Sequence, residues 1–118
     1  MDSVIYTLVR RDEWHAAEAE GVYRGSPDDR RDGFLHFSAA AQLRATAAKY
    51  RAGVADLLLV AVPTAPLGAA LRWEAAGGGA RQGLFPHLYA TLPMTAVQGV
   101  VPLPLGADGL HIFPTEIP

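Results

Sequence analysis

Residues 4–9 (VIYTLV) form an apolar stretch, broken only by Thr7 and the Tyr6 hydroxyl, that is rich in β-branched and aromatic side chains. The pattern predicts a buried strand with Ile5, Thr7 and Val9 on one face and Tyr6 and Leu8 on the other. Asp12 and Glu13 then open an Ala-rich stretch that carries Trp14 and stops at Gly21. Acid in a first turn suits the positive end of a helix dipole, so a short helix is expected there. Residues 24–32 (RGSPDDRRD) hold Gly, Pro and six charges without an apolar period and are expected as an exposed loop closed by Gly33.

Residues 34–38 (FLHFS) read as a short strand, with Leu35 and Phe37 facing the core and His36 and Ser38 on the polar face. Ser38 is placed to cap a helix over 39–52, whose apolar stripe is Leu43, Ala47 and Tyr50 and which ends near Gly53. Residues 57–62 (LLLVAV) are apolar on both faces, as expected of a central strand covered on both sides. Residues 70–74 (ALRWE) alternate again, placing Leu71 and Trp73 on one face and Arg72 and Glu74 on the other. Gly77, Gly78 and Gly79 open a loop that runs to Leu84 and is expected to move. Residues 84–92 (LFPHLYATL) form a strand with His87 and Tyr89 as a second polar pair. A further strand follows over 97–103, and Asp108-Gly109 signals a hairpin before 110–113. About six strands and two helices in mixed order define an α+β class, in one domain spanning 1–118.

Half of the 118 residues are hydrophobic and 19% are charged, which excludes intrinsic disorder. A net charge of −2 supplies no global field toward nucleic acid or an anionic membrane. Without cysteine there is no disulfide framework and no thiolate metal site. The charges at Asp2, Arg10, Arg11, Asp12 and Glu13 leave no apolar signal core, and the run at 57–62 is too short to span a bilayer. The expectation is a cytoplasmic protein.

The chemistry rests on placement. His36 and His87 each sit on a short apolar strand with a hydroxyl residue two positions on, Ser38 and Tyr89. If the two polar faces open into one cleft, two imidazoles, a hydroxyl and a phenol converge there, and the start of the following helix offers N–H donors to an anion. The alternative is that His36 bonds a backbone carbonyl, Ser38 only caps a helix and Tyr89 covers a sheet edge. Arg72 and Glu74 are either an anion clamp with a carboxylate for a ribose hydroxyl or a developing cation, or a solvated ion pair. The three glycines at 77–79 do not follow a strand and open a helix, so they read as a flexible lid or a plain loop and not as a phosphate loop. His15 and His111 read as surface positions.

The motifs Asp32-Gly33-Phe34-Leu35-His36-Phe37-Ser38, Arg72-Trp73-Glu74 and Phe85-Pro86-His87-Leu88-Tyr89, with Tyr6, Trp14, Thr46-Ala47-Ala48 and Leu58-Leu59, carry a resemblance over residues 5–114. The chain resembles a bacterial family, domain of unknown function nine-five-two, whose members look like the ADP-ribosyltransferase fold. That resemblance implies a split, curved, mixed β structure holding NAD in a cleft between its halves. Thr7, His36 with Ser38, and His87 with Tyr89 fall at equivalents of the superfamily's recurring polar positions. Thr7 departs from the His or basic residue of some relatives. The glutamate common on the late strand is also missing, so His87 or Glu74 would have to replace it. This argues against toxin-type protein ADP-ribosylation and makes the RNA 2′-phosphotransferases the nearer analogy in residue type.

The leading expectation is therefore a cleft that binds NAD or an ADP-ribose-type nucleotide, with possible glycosyl or phosphoryl transfer. His36, His87 and Tyr89 are the candidate catalytic groups, and Thr7, Ser38, Arg72, Trp73, Glu74 and Phe85 the binding groups, with Tyr89 or Trp73 stacking a ring. A non-catalytic ligand-binding or regulatory module is the second expectation. A metalloprotein with His36, His87 and Glu74 as ligands is the third, although no metal is expected under the leading one. Nucleic acid is not expected as a partner, with an RNA phosphate kept as the exception.

Overall fold

The computed structural model describes residues 2–75 and 83–118, and the glycine loop at 77–79 lies outside the described residues. The architecture is α+β, with eight short strands in three antiparallel sheets among the described residues. In chain order the elements are β1 (Val4–Arg10), α1 (Arg11–Glu20), β2 (Val22–Tyr23), α2 (Pro27–Asp32), β3 (Leu35–His36), α3 (Ala40–Tyr50) and β4 (Leu57–Pro63), followed by β5 (Leu71–Ala75), β6 (Leu84–Leu88), β7 (Leu92–Pro93) and β8 (Gly99–Leu103). The sheets run β1-β4-β8, β2-β7 and β3-β6-β5. Every strand pair among the described residues is antiparallel, in place of the mixed sheet expected.

Strand β4 is the centre of the largest sheet, as its unbroken apolar run predicts. Because alternate strand residues point to opposite faces, Leu58, Val60 and Val62 join one core with Ile5, Val9 and Trp14, while Leu57, Leu59 and Ala61 join another with Tyr6 and Leu43. Helix α3 closes the second core through Leu43, with Ala40 packed against it, and also buries Ala47. The third member of its predicted stripe, Tyr50, is exposed instead, since it stands in the last turn of the helix.

Several local expectations are corrected. Among the described residues there are three α-helices and not two, because residues 27–32 fold as α2 where an exposed loop is expected. Ser26 caps it, accepting from the Asp29 N–H at 3.2 Å, while the Asp29 carboxylate accepts from the Ser26 N–H at 2.8 Å, and Pro27 occupies the first turn. This reciprocal capping box stabilises a helix that has no apolar stripe. Ser38 is not a helix cap; Ala39 holds that position, and its N–H is satisfied by the Gln42 side chain at 2.9 Å. The predicted strand 84–92 ends at Leu88, where the Tyr89 N–H turns to the Ala70 carbonyl, and restarts as β7. The hairpin around Asp108-Gly109 contracts to a single bridge between Leu105 and His111.

Two links join the β1 and β3 sheets. Tyr6 and Ser38 exchange backbone hydrogen bonds of 2.9 and 2.7 Å, and the Thr7 hydroxyl donates to the His36 carbonyl at 2.9 Å. The sheets therefore meet along β1 and diverge from there, leaving a cleft between them.

Candidate functional site

The pleat of the β3-β6-β5 sheet decides which side chains reach the cleft. Residues directly opposite in an antiparallel pair share a face. Leu35, Leu88 and Leu71 form one such row and His36, His87 and Arg72 the next. The leucine row packs into the core, together with Trp73. The histidine row therefore points the other way, and Glu74 and Phe85 follow it in register.

The cleft has a volume of about 720 Å³, and seven of the predicted residues line it: Thr7, Ser38, Glu74, Phe85, His36, His87 and Tyr89. Trp73 does not, being packed against the core. Arg72 is not in the lining either; its guanidinium rests 4.6 Å from the centre of the Tyr89 ring in a cation–π contact. The first turn of α3 is also absent from the lining, which takes Thr46 and Tyr50 from that helix instead. The Ser38 hydroxyl donates to Thr46 Oγ1 at 3.3 Å.

His36 is held by two carboxylates. Its Nδ1 lies 2.5 Å from Asp29 Oδ1 and its Nε2 2.9 Å from Asp32 Oδ2. A neutral imidazole donates from one nitrogen only, so this geometry fits the imidazolium. Burial disfavours that charge, but the Asp29 hydrogen bond and the two nearby carboxylates outweigh it and hold the His36 pKa above its ordinary value. Asp29 is itself buried, with 7% of its side chain exposed. Burial pushes its carboxyl up, yet donation from the His36 ring and from the Ser26 and His36 amides brings its pKa below the usual carboxylate range.

His87 is arranged differently. Its Nδ1 is 2.9 Å from Glu74 Oε1, and the same oxygen accepts from the Tyr89 hydroxyl at 2.7 Å. These two donors, Tyr89 first, hold the Glu74 carboxyl below its ordinary pKa, while Glu74 pushes the Tyr89 phenol up. An Nδ1–H donor to a carboxylate fixes the tautomer, leaving Nε2 as the nitrogen able to accept a proton. Phe34 stacks on the His87 ring at 4.0 Å and 22°, and tilts against His36 at 4.6 Å and Tyr89 at 5.2 Å. One phenyl ring thus packs against all three.

Asp29, Asp32 and Phe34 are site residues that the sequence reading missed. The available signal was Ser26-Pro27-Asp28-Asp29, a capping-box spacing with proline in the first turn. His15 is exposed, as expected. His111 is not a surface position: it is half-buried, with Nε2 2.7 Å from the Val54 carbonyl and a buried Nδ1 that has no hydrogen-bond partner. Among the described residues no three His, Cys, Asp or Glu side chains are arranged to hold a metal ion. Nor is any helix among them long and apolar enough to cross a membrane.

Residues 8–100 match the family described as Protein of unknown function (DUF952). The crystal structure of protein CC0527 from Caulobacter crescentus is 46% identical to the chain, with a TM-score of 0.86 over 92% of this chain and 93% of that one. The solution NMR structure of the same protein is similar at a TM-score of 0.82, covering 92% and 91%. No curated protein matches.

Proposed function

The chain belongs to the DUF952 family, and from that premise and the geometry of its cleft we propose that it binds NAD or a related ADP-ribose-containing nucleotide as substrate. The observation that carries this reading is the convergence of His36, His87, Glu74 and Tyr89 in one cleft of about 720 Å³. That volume lies within the roughly 300–1,000 Å³ of small-molecule sites. The resemblance of the sequence motifs to the ADP-ribosyltransferase fold points to the same ligand class, as an analogy of fold.

The groups present fit such a ligand. Glu74 and the His87 ring are acceptors suited to ribose hydroxyls, and Tyr89 offers a ring face for stacking. Glu74, kept ionised by its two donors, is also suited to stabilising positive charge that develops on a ribose carbon when its bond to nicotinamide breaks. His87, its tautomer set by Glu74, is the group suited to moving a proton through Nε2. His36 has both ring nitrogens engaged and acts as a fixed cation. The chemistry consistent with this set is cleavage or transfer at the nicotinamide–ribose bond, or transfer of a phosphate.

Binding without turnover is the second reading, and the double engagement of His36 favours it, because that ring offers no nitrogen for proton transfer. Titration of isotopically labelled protein with NAD and then ADP-ribose, with released nicotinamide measured in the same sample, separates the two. Amide shifts clustered at His36, Ser38 and His87 are expected. Nicotinamide release makes the protein an enzyme, and shifts without release make it a binding module. An absence of shifts at millimolar ligand overturns the nucleotide reading.

A further inference from the structure

We propose that the His36 Nε2–H and the Arg31 guanidinium form a phosphate subsite over which the protein's own Asp32 carboxylate lies, and that a phosphate group enters by displacing that carboxylate. Adjacent residues of a helix do not ordinarily face one another. Here Arg31 nevertheless turns onto Asp32, with Nε 3.0 Å from Oδ1 and Nη2 3.4 Å from Oδ2, while His36 Nε2 meets Oδ2 at 2.9 Å. Two oxygens of one anion are thus held by a guanidinium fork and an imidazolium. A guanidinium fork fits two oxygens of a phosphate as well as it fits a carboxylate.

The surroundings allow the exchange. Asp32 is the last residue of α2 and its side chain is 33% exposed, so its carboxylate can move into water. The donors stay in place without it. Arg31 remains held by Asp28 at 3.2 Å, and His36 by the buried Asp29, which accepts from both its ring and its backbone N–H. Arg31, Asp32 and His36 all line the cleft. A pyrophosphate group brings more charge and more acceptor oxygens than the carboxylate it replaces. The identity of the phosphate-bearing molecule rests on the nucleotide reading above; the subsite does not.

The test titrates the full chain with inorganic pyrophosphate, ADP-ribose and adenosine, following amide shifts, in the natural sequence and in Asp32→Asn, Asp32→Ala and Asp28→Asn. Removal of the resident carboxylate is expected to tighten pyrophosphate and ADP-ribose about tenfold, the scale of one charge-assisted contact, and to leave adenosine unchanged. Asp32→Ala repeats the test without an amide oxygen that could still accept from His36. Asp28→Asn makes the same change in net charge beside Arg31 without touching His36, and no tightening is expected. Adding Arg31→Gln to Asp32→Asn should remove the gain. Pyrophosphate affinity unchanged in both Asp32 variants, or an equal gain in Asp28→Asn, overturns the subsite. If pyrophosphate tightens but ADP-ribose binds the natural sequence no better than pyrophosphate does, the subsite stands and the nucleotide reading falls.

Discussion

His36 and His87 stand directly opposite one another on neighbouring antiparallel strands, with ring centroids 5.8 Å apart at a steep angle. They come from opposite halves of the chain and occupy matching sequence contexts, yet their chemical situations differ. His36 sits between two carboxylates that favour its charged form. His87 shares one carboxylate with a phenol and keeps a nitrogen for exchange. The same residue type thus meets two carboxylates at one position and a shared carboxylate at the other, on one sheet face.

Asp29 should be the costliest polar residue to replace. It is buried and accepts from the Ser26 amide and from the ring and amide of His36. Asp29→Ala leaves His36 with one carboxylate and removes half of the α2 capping box. A loss of about 1–3 kcal/mol is expected, the cost of removing a buried acceptor whose donors are left without it. Chemical denaturation measures it, and a change within about 0.5 kcal/mol, typical of surface positions, would sink this account of α2 docking.

The His36–Asp29 pair gives stability a defined pH dependence. His36 has a raised pKa in the folded state, so its contribution is complete below the ordinary histidine value and is lost as pH rises through the folded one. Asp29 has a lowered pKa, so its contribution is present above the ordinary aspartate value and is lost as pH falls through the folded one. Both operate together between about pH 4 and pH 6.5. The stability difference between the natural sequence and His36→Asn should be largest in that window and shrink toward alkaline pH. A difference that grows with pH contradicts the charged form of His36.

Glu74 sets the states of its two donors. Glu74→Ala should let the His87 ring populate both neutral tautomers, visible in its side-chain nitrogen shifts, because the acceptor that selects Nδ1–H is gone. The Tyr89 phenol should fall back toward its ordinary pKa, since the hydrogen bond and charge that raise it are lost. Ultraviolet titration against Tyr89→Phe isolates that signal. An unmoved phenol means that Glu74 does not govern it in solution.

One residue of β4 and one of α3 separate core from cleft. Leu59 is fully buried on β4, and Leu59→Ala should cost about 2–5 kcal/mol through lost burial and the cavity left behind. Tyr50 is 52% exposed despite its place in the apolar stripe, and Tyr50→Ala should change stability by no more than about 0.5 kcal/mol. Thermal or denaturant melts of both variants check the contrast. A large loss at Tyr50 would show that it belongs to the core.

The sequence by itself determined the elements whose burial is written in their periodicity. The unbroken apolar run of β4, the β-branched and aromatic stretch of β1, the alternation of β5 and the glycine stop of α1 each follow from local physics, namely side-chain shape and direction and backbone freedom. The same alternation already assigned Trp73 to the face opposite Arg72 and Glu74, which is why it packs into the core and cannot stack a ligand in the cleft. Helix α2 stayed hidden because its stability comes from a capping box and a buried carboxylate, which leave no apolar period to read. The meeting of His36 with His87 and Arg72 was decided by strand register, a pairing between distant segments that spacing along the chain does not encode. So was the Glu74 bridge between His87 and Tyr89, whereas the Asp29 and Asp32 clasp on His36 depends on how α2 packs beside β3. Those contacts lie within the β3-β6-β5 sheet and at its junction with α2, and they form only once these segments are placed, because hydrogen bonds a few ångströms long depend on where whole elements sit.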